Sequence, residues 1–492
     1  MSQLPSAAPA SQGTASVGVM AFLDAMGRDA GTEMHSLMVM KHGQLVAAGW
    51  WAPFGPQRPH LLYSLSKSFT STALGFAVGE GLVRLDERAL DCFPELDGSH
   101  VPEAVRRITV HHLASMATGH TADMWEASLE LGDGDPVRGF FRCAPDREPG
   151  SVFAYNQSAT YTLAAVLQRR AGTTLTQYLR PRLFDRFPPV RLGWQQQQEG
   201  VDMGFSGLFA PTVTAASLGE LYLRDGRWGG RQLLPPGWAA LASSPHVPTA
   251  NPVDAPGGSR GPDWLQGYGY QFWLSRHGFR GDGALGQFCL VLPEADAVVA
   301  ITSRSHDTQA LLDAVWEHLL PALGGRPGGG MPGVGPDPEA DAELAQRLAR
   351  LAVPVPAAAS RVQEGDGAVP GTPGAGDWCG AYRRAPRTTD QPHPLAVEVR
   401  RDGAHWLAEI SDQGVRFEAR FGPSRWSVSE GAVPNAALGW QLAPGRLRLR
   451  VMMLEAPHIL DLDLSTEDRT FEASWSSVPL RAGTLAYLAC PD

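Results

Sequence analysis

Lysine is almost missing from these 492 residues: Lys41 and Lys67 stand against 39 arginines, although lysine is normally among the commonest residues. Arg serves for surface solvation and ion pairing. A guanidinium stays protonated at any working pH, whereas a buried ammonium can lose its proton, so a lysine kept here invites a chemical reason. Paired cysteines are missing too. Cys92, Cys143, Cys289, Cys379 and Cys490 are odd in number and scattered, with no Cys-x-x-Cys, which supports neither a disulfide framework nor a zinc site. No apolar run approaches the length of a membrane span, and Met1-Ser2-Gln3-Leu4-Pro5 lacks the basic and apolar regions of a signal peptide. A cationic excess is also lacking. The net charge of −10 argues against nucleic acid or an anionic membrane as partner. These absences point to a soluble, reduced, cytoplasmic protein.

What is present begins with Tyr63-Ser64-Leu65-Ser66-Lys67-Ser68-Phe69. Leu65, Phe69, Ala73, Phe76 and Ala77 recur at helical spacing and Gly81 follows as a stop, so the pattern predicts a helix over 64–80. Ser64 and Lys67, at i and i+3, share one face of it. A serine nucleophile needs a base within hydrogen-bond reach, and a desolvated lysine can be that base. Ser64 at the helix start also lies where unpaired amides and the helix dipole stabilise an anion. The bland alternative is a chance spacing on a polar face; Ser68 and Ser71 extend that face with small hydroxyls, which suits a cleft wall. Lys41, in Met40-Lys41-His42-Gly43, reads as a hairpin-turn charge without a role.

Around this motif the chain divides. Residues 1–13 are Ala/Ser/Pro-rich and read as disordered. Residues 14–323 carry a helix near Val17–Met26, a hairpin of Ser36–Met40 and Leu45–Trp50, and helices between 100 and 260. Strands return at Tyr268–Leu274, Gly286–Leu292 and Ala297–Thr302, before a helix at Thr308–Leu320. A Gly/Pro-rich linker with one short helix (Ala340–Leu351) spans 324–376. Residues 377–492 alternate polar and apolar between turns such as Arg401-Asp402-Gly403 and Asp412-Gln413-Gly414, which reads as an all-β antiparallel barrel or sandwich.

Two blocks carry a specific likeness. Tyr63–Phe69 running through Glu80-Gly81-Leu82-Val83-Arg84-Leu85-Asp86, and Ile108-Thr109-Val110-His111-His112-Leu113-Ala114-Ser115-Met116-Ala117-Thr118-Gly119-His120, resemble the serine beta-lactamase-related family over roughly residues 15–325. That family includes class C beta-lactamases, D,D-peptidases, family VIII esterases and D-aminopeptidases, and Ser-x-x-Lys is the signature of its nucleophile. The resemblance implies an α/β (α+β) beta-lactamase/transpeptidase-like fold, an antiparallel sheet flanked by helices with a helical lobe. The C-terminal region resembles the lipocalin-like domains appended to some relatives.

The resemblance also implies site residues. Tyr155, in Tyr155-Asn156-Gln157, matches the tyrosine that shuttles a proton with the lysine, with Tyr161 as the competing candidate. Gln157 stands where the family has Asn and offers its amide to substrate one methylene further out. The third family motif, Lys-Thr-Gly or His-Thr-Gly, is weak here. Anchoring Gly286-Gln287-Phe288 puts Arg280 at its cationic position, to hold a substrate carboxylate or to pair with Asp282. The same register puts Gly283 where its amide joins that of Ser64 in an oxyanion hole. His120 is a candidate cleft residue and His112 reads as a packed one; the histidines do not fit a metal pattern. Gly257-Gly258-Ser259-Arg260-Gly261 matches Gly-x-Ser-x-Gly but lies in a loop, without the strand and helix that a nucleophile elbow requires. The expected function is a serine hydrolase acting through a Ser64 acyl-enzyme on a small ester, amide or peptide, with no metal or organic cofactor. The alternatives are a non-catalytic binding protein on this scaffold, and a beta-lactamase or D-alanyl-D-alanine carboxypeptidase.

Overall fold

Val19, Phe22, Leu23 and Met26 recur at helical spacing, and all four are buried along one face of α1 (Ser16–Arg28). β1 (Thr32–Lys41) and β2 (Gln44–Trp50) follow as a hairpin whose turn residues, His42 and Gly43, both take positive φ, +51° and +75°; that backbone twist matches the twist of the paired strands. Helix α2 (Ser66–Gly79), which carries Lys67, comes next. The helical lobe includes α3 (Trp125–Leu131) and α4 (Gln157–Ala171), and α5 (Thr212–Leu223) returns the chain to the sheet. β3 (Trp273–Leu274), β4 (Phe279–Gly283), β5 (Gln287–Leu292), β6 (Ala297–Ser305) and α6 (Thr308–Ala314) complete this part.

The computed structural model describes residues 4–96, 98, 100–249, 261–324, 337–360, 378–385, 394–403, 405–480 and 484–491. The chain forms two compact units: 1–49 with 62–350, and 50–61 with 351–492. In the first, six strands lie in the order β3-β4-β5-β6-β1-β2, with β4–β5, β5–β6 and β6–β1 antiparallel. β6 reads Ala-Val-Val-Ala-Ile and is buried throughout that run, because a central strand covered on both faces needs no polar alternation.

Several expectations change here. Residues 4–13 are ordered rather than loose: Leu45 N–H donates to the Pro5 carbonyl (2.7 Å) and Ala7 N–H to the Leu45 carbonyl (3.2 Å), so this segment covers the open edge of β2. The strand expected over Tyr268–Leu274 shrinks to Trp273–Leu274, because Gly267 (φ +110°) and Gln271 (φ +61°) break the extended backbone. The helix in the expected linker spans Pro338–Leu348 and belongs to the first unit; its Asp341 accepts from Ser16 Oγ at 2.6 Å. The rest of that linker between 325 and 336 and between 361 and 377 lies outside the described residues. Lys41 is buried rather than a turn charge, donating to the carbonyls of Ala295 and Leu323. Among the described residues no helix is long and apolar enough to cross a membrane.

The second unit is a nearly closed sheet of nine strands. In chain order these are β7 (Gly380–Arg384), β8 (Ala396–Asp402), β9 (His405–Asp412), β10 (Val415–Phe421), β11 (Ser427–Ser429), β12 (Asn435–Ala443), β13 (Arg446–Met453), β14 (Ile459–Ser465) and β15 (Thr470–Trp475). They lie in the order β10-β9-β8-β7-β15-β14-β13-β12-β11. The β10 and β12 regions approach each other, with Gly439 N–H donating to the Gly422 carbonyl at 3.1 Å. Leu447, Leu449 and Val451 of β13 point inward, while Arg448 and Arg450 pair across to Asp463 and Asp461 of β14. Residues 50–61 join this unit. Phe54 packs with Val353, Met452, Leu454 and Ile459, and Leu61 N–H donates to the Glu455 carbonyl at 2.8 Å.

Candidate active site

The helix expected over 64–80 begins differently. Tyr63–Leu65 forms one 3-10 turn that runs into α2 at Ser66. Tyr63 takes φ +49°, a left-handed conformation that costs a bulky residue about 1–3 kcal/mol. Ser64 remains partly exposed between buried Tyr63 and Leu65. Behind it α2 is buried from Ser66 to Ala77. Two of its hydroxyls tie it to neighbouring backbone, Ser68 Oγ donating to the Gln271 carbonyl (3.0 Å) and Thr70 Oγ1 to the Gly204 carbonyl (2.8 Å).

Lys67 is 1% exposed. Its Nζ donates to Ser64 Oγ (3.1 Å), Gln157 Oε1 (2.6 Å) and the Phe205 carbonyl (2.8 Å), which matches the three protons of an ammonium. The Tyr155 ring centroid lies 4.7 Å from Nζ and that of Phe205 5.6 Å. Tyr155 is partly exposed and stacks on Trp273 with centroids 5.5 Å apart. Tyr161 is buried edge-on to Trp125 and Phe205. Ser64, Lys67, Tyr155 and Gln157 are therefore brought together, with Gln157 turned to the lysine through its carbonyl oxygen.

Gly283 lies beside the turn that carries Ser64. A Cβ placed on it would sit 2.2 Å from the Leu62 carbonyl oxygen and 3.2 Å from Leu65 N. A Cβ on Gly281 would likewise meet Leu65 Cδ1 at 2.2 Å. Side chains alternate along a strand, so Arg280 and Asp282 of β4 face the other way. Arg280 is 0% exposed, bonded to Asp282 Oδ2 (2.8 Å) and the Asp263 carbonyl (2.9 Å), with its guanidinium over Trp264. Of the two roles expected for Arg280, the pairing with Asp282 is the one observed, and the substrate-binding expectation is corrected: Arg280 is part of an internal ion pair. His120 is corrected too. It is buried, hydrogen-bonded to Thr118 Oγ1 (2.9 Å) and the Cys143 carbonyl (3.2 Å), and set against Phe140. His112 closes a capping box with Thr109. Of the Gly-x-Ser-x-Gly motif, residues 257–260 lie outside the described residues.

Asp123 was not singled out by motif or spacing. Its Oδ1 accepts the Gln157 N–H at 2.8 Å and the Trp125 N–H at 3.3 Å. Burial pushes its carboxyl up, and the Gln157 N–H and the charge of Lys67 pull it back. Its placement depends on two loops meeting, which no local pattern records. Among the described residues no group of three or more His, Cys, Asp or Glu is arranged to hold a metal ion.

The geometry can be set beside known proteins. A 6-aminohexanoate-dimer hydrolase from Paenarthrobacter ureafaciens is 24% identical over 301 residues, 55% of this chain and 73% of that one. A structure described as a 6-aminohexanoate-dimer hydrolase from Bacillus anthracis superposes with a TM-score of 0.52 at 19% identity, covering 66% of this chain and 87% of the other. EstCE1, a hydrolase with promiscuous acyltransferase activity, gives 0.50 at 18% identity, covering 61% and 98%. The beta-lactamase family profile matches residues 21–323, and the chain belongs to the beta-lactamase family.

Proposed function

We propose that hydrolysis runs through an acyl-enzyme on Ser64, with a small ester, amide or peptide as substrate. The observation that carries this reading is the cage around Lys67. Gln157 Oε1 and the Phe205 carbonyl can only accept, whereas Ser64 Oγ can accept or donate. As an ammonium Lys67 donates to all three. As a neutral amine it donates to the two carbonyl oxygens and turns its lone pair to the Ser64 hydroxyl. The same cage therefore satisfies both protonation states, as a general base must before and after it takes a proton. Ser64 attacks the carbonyl and Lys67, with Tyr155, takes the hydroxyl proton and returns it to the leaving group. The amides of Ser64 and Gly283 receive the oxyanion, and water then releases the acyl group. The hydrolase names of the relatives support the reaction class. The inward turn of Arg280 leaves that position without a cation for a substrate carboxylate, which favours esters and amides over beta-lactams.

The test is intact-mass analysis after exposure to a fluorophosphonate, p-nitrophenyl butyrate and a penicillin. Wild type gains one acyl or phosphonyl mass, Ser64→Ala gains none, and Lys67→Arg acylates slower by about 10²–10⁴-fold. An adduct that persists in Ser64→Ala would remove the nucleophile assignment.

A further inference from the structure

One oxygen of Asp123 is committed to the fold and the other is not. Oδ1 takes the first amide of α3 (Trp125) and the first amide of α4 (Gln157), two groups that helix starts leave without an internal partner. Asn156 makes the reciprocal clamp, its Oδ1 accepting from Met124 N–H (3.2 Å) and Ser158 N–H (3.0 Å). A neutral amide serves this purpose at position 156 and would serve equally at 123. The carboxylate charge at 123 thus exceeds what the clamp needs. No described residue donates to Oδ2, and Asp123 is partly exposed. The residue is coupled to the proposed site through Gln157, whose amide it holds and whose Oε1 holds Lys67. Two residues further on, the Trp125 ring packs on Phe205 at 4.6 Å between centroids. A carboxylate oxygen next to aromatic faces suits an alkylammonium, by a charge-assisted hydrogen bond and by ring-face attraction.

We infer that Asp123 Oδ2 receives a cationic amine of the substrate, whose methylenes lie along Trp125, so that the substrate class is an ester or amide bearing an ammonium a few bonds from the scissile carbonyl. This rests on the acyl-enzyme reading of Ser64 and adds the specificity to it.

The test uses the full chain and two matched pairs of chromogenic esters. One pair has hexanoyl against 6-aminohexanoyl as the acyl half; the other has a neutral against an aminoalkyl leaving half. Wild type turns over the amine-bearing member with a kcat/KM about tenfold or more higher in at least one pair. N-acetylation of that amine, measured on wild type alone, abolishes the preference. Asp123→Asn keeps the Oδ1 clamp and brings the ratio to near one; Asp123→Glu retains part of it. Equal rates within both pairs, a preference that survives acetylation, or one that survives Asp123→Asn would each overturn the inference. Turnover of every substrate by Ser64→Ala would instead sink the acyl-enzyme reading. The two failures differ, because the inference is read from a ratio between substrates in active enzyme.

Discussion

Gly283 occupies a point where no side chain fits, 2.2 Å from the Leu62 carbonyl oxygen for the first carbon added. Gly283→Ala must push β4 away from the turn that carries Ser64. The expected result is a loss of acylation rate on the order of a hundredfold, the usual effect of displacing one oxyanion donor, read by stopped-flow with p-nitrophenyl butyrate. The neighbouring strand positions behave differently, because their side chains point to the far face. Asp282→Ala strands the buried Arg280 guanidinium, and breaking a buried pair from one side costs about 3–5 kcal/mol. Chemical denaturation is expected to show that loss. A variant with unchanged stability and lost activity would instead return Arg280 to a substrate-binding role.

At the scale of elements, the short helix at Val110–Ala114 carries a pH response. His111 accepts or donates at Tyr270 Oη (2.6 Å) and faces His112 and His246 edge-on. Burial, then the charges of His112 and His246, bring it down to about 4 from 6.5. Both folded and unfolded chains are neutral here above about 6.5. Below that, the unfolded chain binds a proton that the folded one refuses until about 4, so stability falls as pH falls through this window. Denaturation midpoints at pH 7 and pH 5 are expected to converge in His111→Gln, which keeps a polar partner for Tyr270. Part of the slope remains, because burial also lowers His112 and His246. The same elements mark what sequence could and could not reveal. Ser64 and Lys67 are legible because their relation is local, three residues along one turn. The central strand is legible as a short unbroken apolar run, and the hairpin as two apolar runs flanking His42-Gly43. The choice for Arg280 between a substrate carboxylate and Asp282 stays open in the sequence, because a register places a residue along a strand but its face depends on the pleat meeting α2. Asp123 was invisible because its partners are amides of two helix starts far apart in sequence. Residues 4–13 looked compositionally loose, yet an open strand edge gives their backbone a partner.

For the whole molecule, the second unit is not a simple appendage, because residues 50–61 belong to it and run directly in sequence into Leu62 and the turn that carries Ser64. Ending the chain at Arg350 would strip Phe54 of Val353, Met452, Leu454 and Ile459 and leave the Leu61 amide without Glu455. Such a truncation is expected to be cut by protease within 50–61, where the full chain resists, and to lose ester hydrolysis; a truncated chain that is resistant and fully active would show the segment to be self-supporting. One last consequence concerns handling rather than catalysis. Both lysines are buried, Lys41 at 7% exposure and Lys67 at 1%, so neither side chain presents an amine at the surface. Coupling to aldehyde- or succinimide-activated resins, which anchors most enzymes through surface lysines, finds none to use, and a tryptic digest of the unfolded chain is cut almost wholly at arginine, 39 of them against two lysines.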